Sequence, residues 1–171
     1  MEGGARLDAA AALVTETRAR LEHLRSRLRT TLQRMSPEDL AWRPNAESNS
    51  AGNLVGHICG NLRQRFVAGF GGAPDTRERD AEFLAQGPWT AEALIAEADA
   101  ALGAVDAFLA GLDPARLSEV GDIQGRSVRL LELLVQTVAH TSEHVGQIMY
   151  IAKERQGERF ASLSLPRPRR A

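Results

Sequence analysis

One uninterrupted helical stretch near the carboxyl end most constrains the fold of this chain. Residues 129–153 contain no proline and a single glycine, Gly146. Apolar residues recur there at spacings of three, four and seven, which predicts a long amphipathic helix. They are Leu130, Leu134, Val138, Val145, Ile148 and Ala152. Such a helix must bury its apolar stripe against other elements, so we expect a core built from packed helices.

Three further helical segments can partner this stretch. The first carries an apolar residue every seven positions, a narrow seam typical of helical bundles: Leu7, Val14, Leu21, Leu28 and Met35. The predicted helices span residues 7–35, 50–69, 90–111 and 127–156, followed by an extended C-terminal tail. A long connection at 69–88 is expected to hold a short helical turn around 79–84, and no segment reads convincingly as a strand. The predicted fold is all-α, a four-helix bundle with a long crossover connection and a single domain over 1–171.

Composition limits the classes of function. The 171 residues carry a formal charge of −1, so no overall field favours nucleic acid or an anionic membrane. The only cysteine, Cys59, cannot form an internal disulfide, and we expect it to be a small buried residue. With no apolar N-terminal signal region and no stretch of membrane-spanning length, we expect a cytoplasmic protein. Three of the last five residues are arginines, and this end of the tail is expected to be solvated.

The four histidines are the clearest chemical signal. His140 and His144 lie four positions apart, on one face of the predicted last helix and at the margin of its apolar stripe. Such a pair can bind one divalent metal ion, although it can equally be two separate hydrogen-bonded or surface histidines. His57 lies at the edge of the apolar face of the second helix, whereas His23 points away from its seam and should be solvated. We therefore predict a metal site at His57, His140 and His144 with one open coordination position.

Three polar residues are weaker candidates for a catalytic role. Asn61 and Arg65 follow His57 at four-residue steps and should form one ridge, either a solvated flank or a polar wall able to hold an anionic group. Glu143 lies within an H-x-x-E-H pattern, as in inverted zinc proteases. That pattern needs a further ligand downstream, and only 27 residues follow His144, so we do not favour a protease.

Several segments together resemble the DinB/YfiT-like superfamily, in its uncharacterised branch. They are Asn53–Arg63 around His57, Arg77–Phe83, 140–147 around the histidine pair, and Ser164–Pro166. The resemblance implies a four-helix bundle with a crossover, usually a homodimer. It also implies a three-histidine site for zinc or nickel, carried here by His57, His140 and His144. Some members are thiol-dependent S-transferases or isomerases that use a small thiol such as bacillithiol or mycothiol.

The predicted function is a metal-dependent enzyme, with thiol-dependent S-transfer or hydrolase-like chemistry on a small electrophile. The alternative is a non-catalytic dimeric metal-binding or regulatory bundle. Nucleic-acid binding through the arginine tail is disfavoured by the near-zero net charge and by the lack of an aromatic stacking platform. Apolar residues outside the main stripes, such as Phe66 and Leu117, are candidates for a dimer face.

Overall fold

The computed structural model describes residues 2–163, with side chains from residue 9 onward. The predicted Ser164–Pro166 segment and the arginine-rich end therefore lie outside the described residues, as does the side chain of Leu7. The helices are α1 (Glu2–Leu32), α2 (Pro37–Ala41), α3 (Ala51–Leu62), α4 (Arg79–Leu84), α5 (Ala91–Ala110) and α6 (Leu130–Gln156). The described residues also form two strands, β1 (Val120–Ile123) and β2 (Arg126–Arg129). Within residues 2–163 no helix is long and apolar enough to span a bilayer.

The four long helices form the predicted bundle. Helix α1 packs against α5 and α6, and α3 packs against the same two helices on the opposite side. The seven-residue seam of α1 is the buried one: Val14, Leu21 and Leu28 are 7%, 5% and 1% exposed. His23 lies outside that seam and is exposed, as predicted. The core is thus the shared centre of four apolar stripes, as the periodicity requires.

Capping residues fix where the helices begin. Ser50 accepts a hydrogen bond from the backbone N–H of Asn53, and the Asn53 side chain accepts one from the backbone N–H of Ser50. This reciprocal pair begins α3 at Ala51. Thr90 begins α5 in the same manner by accepting from the Ala93 N–H at 3.2 Å. Both starts agree with the sequence prediction to within a residue.

The second predicted helix changes its winding part-way. It is α-helical to Leu62 and continues as a π-helix over Arg63–Phe70. Phe66, in this π-helical segment, is 1% exposed, and Leu117 is 4% exposed. The suggestion that these two residues form a dimer face is therefore wrong, because both are covered within a single chain.

A β-hairpin replaces the predicted start of the last helix, and the expectation of no strand was wrong. Strands β1 and β2 are antiparallel, with Ile123 opposite Arg126. Gln124 and Gly125 connect them with φ values of 56° and 75°, as a two-residue type I′ turn requires. Helix α6 consequently begins at Leu130 and not at Ser127.

The hairpin is anchored to the π-helical segment. A Cβ at Gly121 would lie 2.9 Å from the Phe70 ring, and one at Gly69 would lie 3.1 Å from the Ile123 side chain. Glycine at these two positions allows strand and helix to approach closely. The hairpin therefore stands beside the end of α3, where it helps to enclose a cavity.

The α6 stripe gives a direct test of the bundle core. Leu134 is fully buried, whereas Leu131 on the same helix is 43% exposed. Leu134→Ala should lower the free energy of unfolding by about 2–5 kcal/mol because it leaves a cavity. Leu131→Ala, the same chemical change, should cost less than about 1 kcal/mol. Urea unfolding followed by circular dichroism would measure both, and equal losses would contradict this packing.

A candidate three-histidine metal site

Three histidine rings from α3 and α6 meet at the margin of the bundle core. Nε2 of His57 lies 3.0 Å from Nε2 of His140, which lies 3.1 Å from Nε2 of His144. The candidate ligand atoms all lie within 4.8 Å of one another. His57 is buried and the other two are partly buried. The structure thus brings together the three residues that the sequence singled out, although 83 positions separate His57 from His140.

Hydrogen bonds at the outer nitrogens set the direction of the lone pairs. Nδ1 of His57 lies 2.9 Å from Oε2 of Glu82, and Nδ1 of His144 lies 2.8 Å from Oε1 of Gln147. Both oxygens are acceptors, so each ring carries its proton on Nδ1 and leaves the Nε2 lone pair unprotonated. These lone pairs point towards Nε2 of His140. Carboxylate and amide partners of this kind commonly orient metal-binding histidines.

The cluster fits a divalent cation better than it fits a set of hydrogen bonds. A proton on Nε2 of His140 can be donated to one neighbouring ring at a time, which leaves the other lone pair unpaired at about 3 Å. Nitrogens lie about 2.0–2.1 Å from a zinc ion, which places two tetrahedral ligand atoms about 3.3 Å apart. Two of the three separations, 3.0 and 3.1 Å, are only slightly shorter, and all three candidate atoms lie within 4.8 Å of one another. His57, His140 and His144 could therefore hold one metal ion.

Burial favours the neutral form of the His140 and His57 rings. Burial is the main cause that lowers the pKa of His140 to about 3, and the nearby His144, His57 and Arg65 act in the same direction. Burial also lowers the pKa of His57, although the hydrogen bond to Glu82 opposes it. Neutral imidazole is the form that binds a metal. Burial therefore disfavours protons on His57 and His140, two of the three residues that would hold a cation.

Glu82 and Arg77 complete the site and were missed as functional residues from the sequence. The carboxylate of Glu82 binds Arg77 through two hydrogen bonds of 2.7 and 2.8 Å while also accepting from His57. Nη2 of Arg77 also lies 3.2 Å from Nδ1 of His57. Because both nitrogens carry protons, we assign the shared acceptor as Glu82. Arg77 in turn donates to Gln64 at 2.8 Å. The sequence signals were the unusual length of the crossover that contains both residues and the place of Arg77–Phe83 among the segments that resemble the DinB/YfiT-like superfamily.

Gly60 leaves room for this carboxylate. A Cβ placed at Gly60 would collide with Oε1 of Glu82, whereas one at Gly56, a turn earlier in α3, would meet nothing within 4 Å. The crossover therefore approaches α3 at a position without a side chain. Phe83 follows Glu82 and packs its ring 4.8 Å from that of His57, which covers the imidazole from solvent.

A polar cavity of about 680 Å³ opens beside the histidines, and we call it the histidine cavity. His57 and His140 form part of its wall together with Asn61 and Arg65. The hairpin, over residues 123–128, forms the opposite side. Arg65 donates to Oε1 of Gln136 at 3.3 Å. The predicted ridge of polar side chains after His57 thus faces this cavity.

Two other candidates lie elsewhere. Glu143 is exposed and lines a different cavity, of about 550 Å³, together with Gln147 and Tyr150. Cys59 is fully buried, as predicted. Burial raises the pKa of its thiol to about 12, and the nearby Glu97 adds to the effect. Cys59 therefore remains a protonated thiol in the core, unsuited to act as a nucleophile.

Comparison with known proteins supports this architecture. Residues 8–169 match the family described as "Protein of unknown function (DUF1572)". The chain belongs to this family, which is part of the DinB-like group. The fold is similar to the crystal structure of a DinB-like protein from Bacillus cereus ATCC 10987, with a TM-score of 0.63 and 16% identity over 77% of this chain and 85% of that one. At this identity the similarity shows the fold alone. No curated protein matches significantly.

The glycine pair in α3 predicts a measurable effect on metal affinity. Gly60→Ala should displace Glu82 from His57 and lower zinc affinity about 10–100-fold, as losses of such outer partners do. Gly56→Ala should leave zinc affinity unchanged and stabilise the helix by roughly 0.5–1 kcal/mol. Titration against a competing chromophoric chelator gives the affinities. Equal zinc affinities in the two variants would contradict the role of Glu82.

The metal-free protein should lose stability as the pH falls from about 6.5 towards 3. An unfolded histidine has a pKa of about 6.5, whereas folding lowers the pKa of His140 to about 3. Between these values the unfolded chain binds a proton that the folded chain does not, so acid favours unfolding. The pKa of His57 is lowered as well. Each residue can contribute at most about 1.4 kcal/mol per pH unit.

Urea unfolding with a chelator, at pH values of about 5 and 6.5, would measure this dependence. In His140→Gln the pH dependence should be shallower, because one of the two depressed histidines is gone. His23→Gln alters an exposed histidine and should keep the wild-type dependence. Identical pH dependence in the wild type and His140→Gln would rule out this assignment.

Proposed function

We propose that this protein is a metal-dependent enzyme that uses a divalent transition metal, zinc or nickel, on His57, His140 and His144. The observation that carries the proposal is the convergence of three imidazole Nε2 atoms beside a cavity of about 680 Å³. Two of the three rings, those of His57 and His140, form part of the cavity wall. A small molecule in the cavity would therefore reach the place where the lone pairs meet.

The number of ligands favours a reactive site over a closed structural one. Structural zinc sites usually have four protein ligands, whereas catalytic sites have three and keep one position open. When bound, such a metal can lower the pKa of a water or thiol and polarise a substrate carbonyl. The described residues contain no further histidine, cysteine or carboxylate in this cluster, which leaves that position available.

The surrounding side chains have distinct roles in this proposal. Glu82 and Gln147 hold His57 and His144 in the tautomer that binds a cation. Asn61 and Arg65 line the cavity next to the rings and would orient the substrate. Glu143 remains a weaker candidate, because it lines the separate cavity with Tyr150.

We further propose that the reaction is thiol-dependent S-transfer or hydrolase-like chemistry on a small electrophile. The resemblance to thiol-using DinB-like proteins supports the first of these. The cavity volume lies within the usual range for small-molecule sites, about 300–1,000 Å³. The chain's own thiol, Cys59, is buried away from the cavity. A thiol reactant would therefore be a separate low-molecular-weight molecule.

A non-catalytic role is the alternative, in which a dimeric metal-binding or regulatory bundle uses the metal to fix its shape. It is supported by the way the site joins three elements. The metal would link α3 to α6, and Glu82 already ties the crossover to His57. Removal of the metal would then loosen all three. The homodimer and the cytoplasmic location also remain proposals.

Metal analysis of purified protein tests the leading proposal. The wild type should contain about one equivalent of zinc or nickel per chain, and His140→Ala and His144→Ala should lose it, because two nitrogens hold a metal poorly. His23→Ala serves as the matched control and should retain the metal. Negligible metal in every variant, or full retention in His140→Ala, would end the proposal.

Activity separates the two roles. Metal-loaded wild type should turn over electrophiles with a small thiol or with water, and the chelated protein should not. A metal that raises the melting temperature, without turnover across a broad panel of thiols and electrophiles, would instead favour the structural role.

A further inference from the structure

The histidine cavity concentrates positive charge in a chain that is almost neutral. The protein has a formal charge of −1, yet four arginines line this one cavity. They are Arg65, Arg77, Arg79 and Arg126. The single acidic residue in the lining is Glu132. The local field is therefore opposite in sign to the net charge, which the composition could not reveal.

Two of these arginines already contact other side chains of the protein. Arg77 is paired with Glu82 and its side chain is only 7% exposed, so its charge is neutralised within the protein. Arg79 stacks over Phe83 at 4.9 Å and lies 3.9 Å from Asp80. The guanidinium of Arg77 is therefore not free to act as the main contact for a ligand, and that of Arg79 already has an aromatic and an acidic neighbour.

The other two lack a carboxylate partner among the side chains that the structure describes. Arg65 makes a single 3.3 Å hydrogen bond to the neutral amide of Gln136. That amide donates in turn to Glu132 at 2.6 Å, so it separates Arg65 from the nearest acid of the cavity. Arg126 is exposed on β2 and contacts no acidic side chain in the described region. A half-buried guanidinium without a counter-ion is costly, and a bound anion would relieve that cost.

Asn61 gives a second, independent indication of a ligand. It is 6% exposed, lines the same cavity, and its Oδ1 has no hydrogen-bond partner among the described residues. Buried polar atoms are nearly always paired, so an unpaired one calls for an explanation. The amide of Asn61 also carries an NH₂ donor, which can face an anionic group in the cavity that this residue lines. In the sequence it lies between His57 on α3 and Arg65 on the π-helical segment that follows.

We propose that the histidine cavity binds a small organic anion, whose carboxylate or phosphate group is held by Arg65 and Arg126 with help from Asn61. A planar guanidinium can bind both oxygens of such a group. The remainder of the molecule then extends towards His57 and His140. The inference rests on the proposed function for what happens to that reactive end. Binding of the anionic group itself requires no metal.

Calorimetric titration of the chelated full-length protein with succinate and with inorganic phosphate, at fixed ionic strength, tests this proposal. At least one of the two should bind, and the preferred one identifies the group as carboxylate or phosphate. Arg65→Gln and Arg126→Gln should each weaken binding about ten-fold or more, because each removes a charge-assisted hydrogen bond. Arg20→Gln removes the same charge from the exposed face of α1 and should bind as the wild type does.

The outcomes separate this inference from the proposed function. Anion binding that persists in His140→Ala and in protein shown to hold no metal would support the inference while the metal proposal fails. Absence of binding of both probes overturns the inference, even where metal analysis succeeds. It is also overturned if Arg65→Gln and Arg126→Gln bind no more weakly than Arg20→Gln. Arg126 lies on an exposed strand, so its variant decides the question even if Arg65→Gln fails to fold.

Discussion

The site depends on one hydrogen bond, from Nδ1 of His57 to the carboxylate of Glu82. This contact fixes the tautomer of a buried ring and so directs its Nε2 lone pair towards the two histidines of α6. Arg77 balances the charge of the carboxylate through an ion pair at 2.7 Å. Because Gly60 has no side chain, the crossover can approach α3 closely enough for Glu82 to reach His57. The long connection between the second and third bundle helices thus belongs to the site and does more than join two helices.

The helices and the metal candidates were predictable because both follow from helical periodicity. The seam through Val14, Leu21 and Leu28 had to be buried once a partner helix existed, and His140 and His144 had to share a face. Convergence of His57 on that pair did not follow from periodicity. The position of each histidine at the margin of an apolar helix face and the family resemblance supported it. In the folded chain the three rings do lie together.

The features that were missed depend on contacts between distant segments. Glu82 lies in a short helix of a loop, where no repeat marks a side chain as directed inwards. The hairpin was overlooked because its strands are four residues long and mostly polar, and because Gln-Gly is a weaker turn signal than Asn-Gly. The change to π-helical winding after Leu62 leaves no clear mark in composition. In each case the tertiary environment, and not the local sequence, decides the structure.

The hairpin allows the ligand selectivity of the histidine cavity to change without changing the histidines. Three parts of the chain enclose the histidine cavity: the bundle helices that carry the histidines, the crossover through Arg77 and Arg79, and the β1–β2 ribbon, which contributes little to the core. Replacements around the Gln124–Gly125 turn would reshape the entrance while sparing the imidazole cluster. Selectivity for ligands could therefore evolve at an exposed ribbon independently of the chemistry at the bundle margin. One scaffold could in this way serve many reactants.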